Sequence, residues 1–457
     1  MASTQAAAGA KARGIGEAAL EHADRNHVIA VIAGALGIVS QSFQHPELII
    51  AGLIYALTES PMLVALVTLI NKAGALGPQL VAGSILEHQV RRMPYFVVMT
   101  WLRAAAYTAL LVALWMLSRQ VETSSLIVFF AAYLVSSVIG GTAHITHMDM
   151  VGRMIPSDRL GSFFGAKNAL GNILAIVAGL VIIQPVLGAL EVPVNYLLLT
   201  GIGAAVMIVD MTLFSRCREV DGPRATKKTS LAESLQRGFR WLKSDHNYRM
   251  YIWSRVGFRF NYLGLAFFIP YGTQRLGGRE SANLAILGGI MVASMQISRV
   301  VTSALWGKMA DRRGFRACLL AGGICFVIAP ALALTAPMLP EVFSVDIPGT
   351  PAALDLPLAV YLVALLAIGA AIQGTALGGQ YFLVSSAPPH RRPSYLGFAN
   401  TITSPLTLLP IGGAVLAQVA GMSGLFILLC FTGFLSLGAA WFMRNEHTHS
   451  DEQADQD

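Results

Sequence analysis

Gly83-Ser84-Ile85-Leu86-Glu87-His88-Gln89-Val90-Arg91-Arg92 closes one long apolar run, and Gly307-Lys308-Met309-Ala310-Asp311-Arg312-Arg313-Gly314-Phe315-Arg316 closes another. Both stretches read glycine, two residues, an apolar residue, a carboxylate and then a basic cluster. A second pair recurs at nearly the same offset. Pro156-Ser157-Asp158-Arg159 leads to Ser162-Phe163-Phe164-Gly165 and Asn168, while Pro388-Pro389-His390-Arg391 leads to Ser394-Tyr395-Leu396-Gly397 and Asn400. Repetition at one long period marks a chain built from corresponding units. Here it divides the sequence into two halves.

The runs between these motifs set the environment. Of 457 residues 55% are hydrophobic and only 12% charged, too little charge to cover a water-soluble surface. A hydrocarbon core of ~30 Å takes about 20 apolar residues per helix. Only helices or closed barrels satisfy the backbone in lipid, and continuous rather than alternating apolar runs select helices. Twelve spans are expected: about 27–57, 62–86, 95–117, 125–150, 162–187 and 194–214, then 248–271, 282–306, 317–338, 356–385, 394–419 and 423–443. Pro46 predicts a kink in the first.

Basic residues fall in alternate loops: Arg91 and Arg92, Arg153 and Arg159, the central segment, Arg312, Arg313 and Arg316, then Arg391 and Arg392. The opposite loops hold only Arg119, Arg275 and Arg279. By the positive-inside rule the basic loops and both termini face the cytoplasm, as in a multi-pass inner-membrane protein. The net charge of +7 reflects this asymmetry and does not point to nucleic acid. The expected organisation is a cytoplasmic segment 1–26, a six-helix bundle 27–214, a basic linker 215–247, a second bundle 248–443 and an acidic, disordered tail 444–457. Segment 1–26 lacks the apolar core of a signal peptide. Within the linker, Leu231, Leu235, Phe239 and Leu242 recur at helical spacing. That pattern fits a helix lying on the inner leaflet, or a linker whose apolar stripe packs on the bundle.

With two loop copies at matching spans, the chain resembles the major facilitator superfamily over roughly residues 26–443. The second copy nearly reproduces that family's glycine–aspartate–arginine loop; the first departs from it, with Glu87 for aspartate and Val90 for the second glycine. The resemblance implies an all-α membrane fold of twelve transmembrane helices in two pseudo-symmetric six-helix bundles. It implies a secondary or facilitative transporter working by alternating access, a solute site at midplane between halves, and a monomer. It also implies that the loops built on Gly83, Glu87, Arg91 and Arg92, and on Gly307, Asp311, Arg312, Arg313 and Gly314, act as gates. Glu87 would face the span opening at Ser394, and Asp311 the span opening near Ser162, each carboxylate at a positive helix N-terminus. Plain topogenic charge is the alternative.

Polar groups inside spans are costly and so are default functional candidates. Arg259 lies about 16 Å into the seventh span at 1.5 Å per residue, poised either to bind an anionic group or to pair with a carboxylate; Arg255, one turn earlier, can snorkel. Gln41, Gln44 and His45 fall at i, i+3 and i+4 on one face, which suits a cavity lining or a packing seam. Gln373, Gln380, Asn168, Asn172 and Asn400 are further candidates. Arg103 and Arg299 read as ion-pair partners. His144, His147 and Asp149 end the fourth span, where they suit a gate or proton relay better than a metal, for want of a third spaced ligand. Asp149 and Asp210 lie towards the cytoplasmic ends of their spans. Coupling to a co-transported proton or ion is expected through His45, His147 or Asp149, if it occurs.

The same residues exclude other classes. No GxxxxGK[ST] loop is present, so this chain alone does not drive pumping with ATP. The fourth-span arginine and fifth-span Gly-Pro of drug–proton antiporters are missing, as is the sugar-porter Pro-Glu-Ser-Pro-Arg. Cys217, Cys318, Cys325 and Cys430 match no metal spacing and no expected disulfide. No cofactor and no catalytic residue are expected. The partners are a small anionic or polar organic solute and the bilayer; the rivals are a transport-inactive sensor or scaffold and an intramembrane metal-binding protein.

Overall fold

A computed structural model of the chain describes residues 22–119, 121–219, 230–265, 267–276, 281–346 and 353–444. The acidic tail, nearly all of segment 1–26, and Arg224, Lys227, Lys228 and Arg279 lie outside the described residues. The described chain is mostly helical, with one short antiparallel hairpin of β1 (Ser344–Asp346) and β2 (Ala353–Asp355). It divides into two compact units. The first runs through Arg240 and takes in Leu383–Ser404; the second holds Trp241–Phe382 and the chain from Pro405.

In the first unit α1 (Ala23–Phe43) ends before Pro46, and a π-helical turn, Pro46–Ile50, leads into α2 (Ala51–Thr58). A residue before proline is pushed out of helical geometry, so the expected kink falls at Gln44–His45. There follow α3 (Pro61–Leu76), α4 (Gln79–Leu86), α5 (Met93–Arg119), α6 (Thr123–Met154), α7 (Leu160–Ala178), α8 (Gln184–Ala189), α9 (Val194–Phe214) and the linker helix α10 (Leu231–Ser244). The second unit contains α11 (His246–Phe260), α12 (Tyr262–Leu265), α13 (Phe268–Leu276), α14 (Ser281–Thr335), α15 (Leu356–Ser385) and α17 (Leu409–Trp441); α16 (Arg392–Thr403) belongs with the first.

Among the described residues, nine helices are long and apolar enough to cross a membrane, against twelve expected spans. The difference has three local causes. The seventh span is broken into α11, α12 and α13. The eighth and ninth run together as α14 across Gly314, whose φ of 77° turns the chain in one residue. The eleventh is interrupted by a 3-10 turn, Ser404–Leu408, and meets the twelfth at Gly421, φ 71°. Both glycines occupy the left-handed region that side chains avoid.

Lipid provides no hydrophobic drive between helices, so packing depends on close approach at small residues. Gly141 of α6 lies against the backbone of Ala75 in α3, where a methyl group would meet the Ala75 carbonyl oxygen. Gly171 faces Ile38, and Gly203 faces Gln44 and Phe43. One apolar core of the first unit gathers Leu53, Ile54, Val67, Leu110, Leu114 and Phe129. Outward, Trp101, Ile127, Val181, Phe431 and Phe434 are each at least 60% exposed, as lipid-facing side chains should be.

Gly141→Ala is expected to destabilise the protein by about 1–3 kcal/mol through overpacking, because the neighbour that must move is backbone. Gly188→Ala, with open space around the same position, is the control and should be neutral. Thermal unfolding of the two purified variants against the parent, in one detergent, checks this.

Candidate functional site

The loop after α4 carries a buried charge network. After α4 the chain runs without helix through Gln89–Arg92, and the Arg92 side chain turns inward with no exposed surface. Its Nε lies 2.7 Å from Asp149 Oδ2, itself fully buried, and Arg153 Nε donates to the same oxygen at 3.1 Å. Glu219 accepts from the backbone N–H of Arg92 and of Met93, both at 2.7 Å, placing an anion where α5 begins. Burial pushes the Glu219 carboxyl up from its ordinary range, opposed by those two N–H groups and by Arg92 and Arg91. Glu87 accepts from Arg237 of α10 at 3.0 Å. Arg392, the first residue of α16, is buried within electrostatic reach of Asp149 and Arg92. The two Nη atoms of Arg92 have no hydrogen-bond partner among the described residues.

The start of α16 is seated on α4. A Cβ at Gly83 would lie 2.6 Å from the Pro393 oxygen and 2.9 Å from the Ser394 nitrogen, so only glycine permits the approach. Asn400 donates to Gln79 at 2.6 Å, and Thr401 donates to the Leu76 carbonyl at 3.2 Å. Gly83 is one turn before Glu87, which sets that carboxylate near the positive end of α16.

Deeper in this unit lies a cluster in the membrane interior. Gly34 and Gly37, one turn apart on α1, make room for two side chains: Lys167 of α7, whose Cγ would be 2.7 Å from a Cβ at Gly34, and Asp210 of α9, whose Oδ2 would be 2.9 Å from a Cβ at Gly37. Arg103 and Lys167 are the cations within electrostatic reach of Asp210, and Arg103 lies against Gly140 of α6. The ammonium of Lys167 sits 5.4 Å from the Phe164 ring centre.

The second unit has a cationic counterpart without the anion. Arg255 donates to the Tyr251 hydroxyl at 3.3 Å. Arg259 stands 5.5 Å over the Tyr262 ring, at the end of α11 where the span breaks. Arg299 of α14 donates to Gln296 at 3.0 Å and is within electrostatic reach of the same Tyr262. Among the described residues no carboxylate forms an ion pair with Arg259 or Arg299. Asn261, at the break, is 1% exposed, and neither its amide oxygen nor its nitrogen has a partner among them. A buried amide with both ends open is uncommon and calls for a ligand or water.

Several sequence expectations are corrected. Gln41, Gln44 and His45 do not share one face, because α1 ends at Phe43: Gln41 is exposed, Gln44 is buried against Gly203 and Thr200, and His45 lies past the helix end. Gln373 is buried and donates to Ser303 at 2.8 Å, and Asn400 is committed to Gln79. These amides join helices, since a buried amide must be satisfied. Asp149 is held by two arginines, and the His147 ring packs 4.2 Å from Phe214 and 6.3 Å from Phe96. Among the described residues no group of three or more metal-ligating side chains gathers. In the second loop Gly307, Asp311, Arg312 and Arg313 all lie within α14, with Arg312 and Arg313 exposed and Gly314 at the turn. Arg91 is exposed. Cys217 is buried, which pushes its thiol up to about 12, so it is chemically quiet.

Sequence reasoning missed Lys167, Glu219, Arg237 and Asn261. For Lys167 the signal was present, a lone cation within an apolar span.

A sequence profile described as Major Facilitator Superfamily matches residues 28–406 and again 285–457. No curated protein matches the chain. Among solved structures, a bacterial homologue of the iron transporter ferroportin, in an outward-facing state, aligns at TM-score 0.70 and 16% identity, covering 91% of this chain and 98% of that one. The Escherichia coli fucose:proton symporter aligns at 0.65 and 14%, covering 92% and 98%. The human organic anion transporter TETRAN aligns at 0.64 and 13%, covering 92% and 99%. At such identities the likeness is one of fold.

Asp149→Asn is expected to destabilise the protein by about 3–5 kcal/mol, because it strands the buried Arg92 guanidinium. Arg92→Met combined with Asp149→Leu should recover most of that loss. Melting temperatures of parent, single and double variants decide it: a single variant as stable as the parent would show that the pair does not hold this region.

Proposed function

The chain belongs to the major facilitator superfamily, a family of membrane transporters rather than enzymes, and from that premise we propose that it moves a small anionic organic solute by alternating access. The observation that carries the substrate class is the uncompensated cation cluster of the second unit. A guanidinium out of water needs an anion or dense hydrogen bonding. Among the described residues Arg259 and Arg299 have cation–π or amide contacts but no carboxylate partner, so a solute carboxylate or phosphate supplies the missing charge. Asn261 adds an open donor and acceptor at the break in the seventh span, the kind of discontinuity at which transporters bind solutes. Tyr262 lies beneath the Arg259 guanidinium, and Tyr251 accepts from the neighbouring Arg255. One solved fold-relative is named an organic anion transporter, which is compatible with this class.

The seating of α16 on α4 is the closed state of a gate. To open, the Asn400–Gln79 and Thr401–Leu76 bonds must part, and Arg392 must leave the field of Asp149. Asp311 plays the matching part in the other half. Two states a few kcal/mol apart suffice for ligand binding to shift the balance. Coupling to a proton or ion runs through Asp210 and Lys167 rather than Asp149, which is engaged by Arg92 and Arg153. Asp210 and Lys167 face one another at the glycine notch of α1 without a direct ion pair or hydrogen bond among the described residues.

A thermal-shift screen of the purified protein against small carboxylates, phosphate esters, cations and neutral solutes tests the substrate class. A ligand at 100 times its Kd adds about 2.7 kcal/mol of apparent stability. Stabilisation by an anion should vanish in Arg259→Ala and persist in Arg275→Ala. If cations or neutral solutes stabilise parent and Arg259→Ala alike, the anion reading is wrong. Binding without uptake into proteoliposomes would indicate a sensor instead. For coupling, Asp210→Asn should abolish gradient-driven accumulation of the identified solute while retaining exchange across the membrane; unchanged accumulation would remove Asp210 from that role.

A further inference from the structure

The linker helix α10 is packed the wrong way round for a helix in water. Its sequence, LAESLQRGFRWLKS, puts Leu231, Leu235 and Phe239 on one line at i, i+4 and i+8. Those three are 47%, 36% and 51% exposed, whereas Ser234, Arg237 and Gly238 are the residues turned into the protein. An amphipathic helix docked on a soluble surface buries its apolar stripe and leaves the polar side out. Here the protein takes the small and charged side, through Arg237 on Glu87 and Gly238 against the Phe398 ring.

Three further observations say what covers the stripe. First, depth: Phe239 stands edge-on to Phe398, ring centres 5.4 Å apart at 82°. Phe398 lies six residues into α16, about 9 Å from its start at 1.5 Å per residue. This sets the stripe beside the opening turns of α16 rather than beyond its end, where an interfacial helix that buries its apolar face about 5–10 Å would lie. Second, charge: at 100° per residue Lys243 lies about 40° and Arg240 about 100° beyond Phe239, on the side away from the protein contact. Both are exposed, placed for long cationic stems to reach lipid phosphates beside a buried stripe. Third, Glu233 is turned back on the helix start, accepting from the Ser230 backbone N–H at 2.7 Å. With Glu233 also exposed, the outer side carries two cations against one anion, a net positive charge.

We propose that α10 is an in-plane membrane helix whose Leu231–Leu235–Phe239 stripe enters an anionic lipid surface on the side of the basic loops, with Arg240 and Lys243 on its headgroups. Since Arg237 of the same helix holds Glu87, lipid occupancy of the stripe also holds the helix against the first gating loop. This assignment stands whatever the solute is.

The test uses the full chain in nanodiscs of phosphatidylglycerol mixed with phosphatidylcholine, and in phosphatidylcholine alone. A nitroxide is placed by Leu235→Cys in a Cys325→Ser, Cys430→Ser background. Its collisions with apolar oxygen and with a water-soluble nickel chelate are compared by spin resonance. In the anionic discs oxygen access should exceed nickel access. Arg240→Gln with Lys243→Gln should lower the ratio of inserted to lifted helix about 25-fold, at about a fivefold factor per cation, with little change in the neutral discs. Nickel access equal to that of a solvated loop in both lipids overturns the proposal. So does shielding from both reagents, which would mean that protein covers the stripe. An unchanged melting temperature of the charge variant confirms that it is folded; if it is not, the comparison between the two lipids with native charges decides alone.

Discussion

Arg92 has no exposed surface, and its nearest anion is the equally buried Asp149, 2.7 Å away. Taking either group out of water alone costs several kcal/mol, and their attraction offsets that only while the geometry holds. The surrounding structure is arranged so that it does. Arg153 shares the Asp149 oxygen, Glu219 covers the N–H groups at the start of α5, and Arg392 enters from α16. A network this buried is insensitive to salt and has few compromise geometries, since a displaced member leaves its partner stranded. Such a cluster behaves as a latch with discrete states rather than as a soft spring. That property suits a gate, and it explains why α16 packs with the first unit although its sequence repeat belongs to the second half.

The same constraint gives the second unit a different meaning. Arg259 and Arg299 are half-buried rather than sealed off, yet no carboxylate forms an ion pair with either among the described residues. Aromatic faces soften the deficit: a cation over a tyrosine ring gains about 0.5–2 kcal/mol, well short of an ion removed from water. The first unit therefore carries internally compensated charge, whereas Arg259 and Arg299 in the second have no ion pair among the described residues. Pseudo-symmetric scaffolds allow this division, because a position that is structural in one repeat is free to change in the other.

Much of this was legible in the chain, and the exceptions have local causes. Two halves, twelve apolar runs and paired loop motifs follow from periodicity and charge, which lipid enforces on any spanning segment. Arg259 is conspicuous because a guanidinium is rare among apolar neighbours. What escaped depends on where helices end. The face shared by Gln41, Gln44 and His45 exists only if α1 continues past Phe43, and the break at Asn261 has no proline or glycine at that residue to announce it. Lys167 was hidden by its own stem: its use becomes visible only when Gly34 and Gly37 are seen to make a notch, and pairing between α1, α7 and α9 is tertiary information. Likewise the apolar stripe of α10 was plain, but which of its sides met protein was not.

The two loop copies show how one residue redirects a motif. In the second copy Gly314 adopts φ 77°, so α14 continues helical through Asp311, Arg312 and Arg313 and reverses in a single step. Its basic residues are thereby left at the surface, and the following Arg316 reaches only the Trp441 carbonyl and ring. In the first copy Val90 stands where that glycine would be. A β-branched residue strongly resists the left-handed turn; here the helix stops at Leu86 and the chain reverses through an open stretch. That stretch carries Arg92, the counterpart of Arg316, inward to Asp149. The loss of one glycine, which looks like decay of the motif, is thus the local condition for the buried pair. The departure from the family pattern thus coincides with a loop whose arginine turns inward to a buried carboxylate instead of staying at the surface.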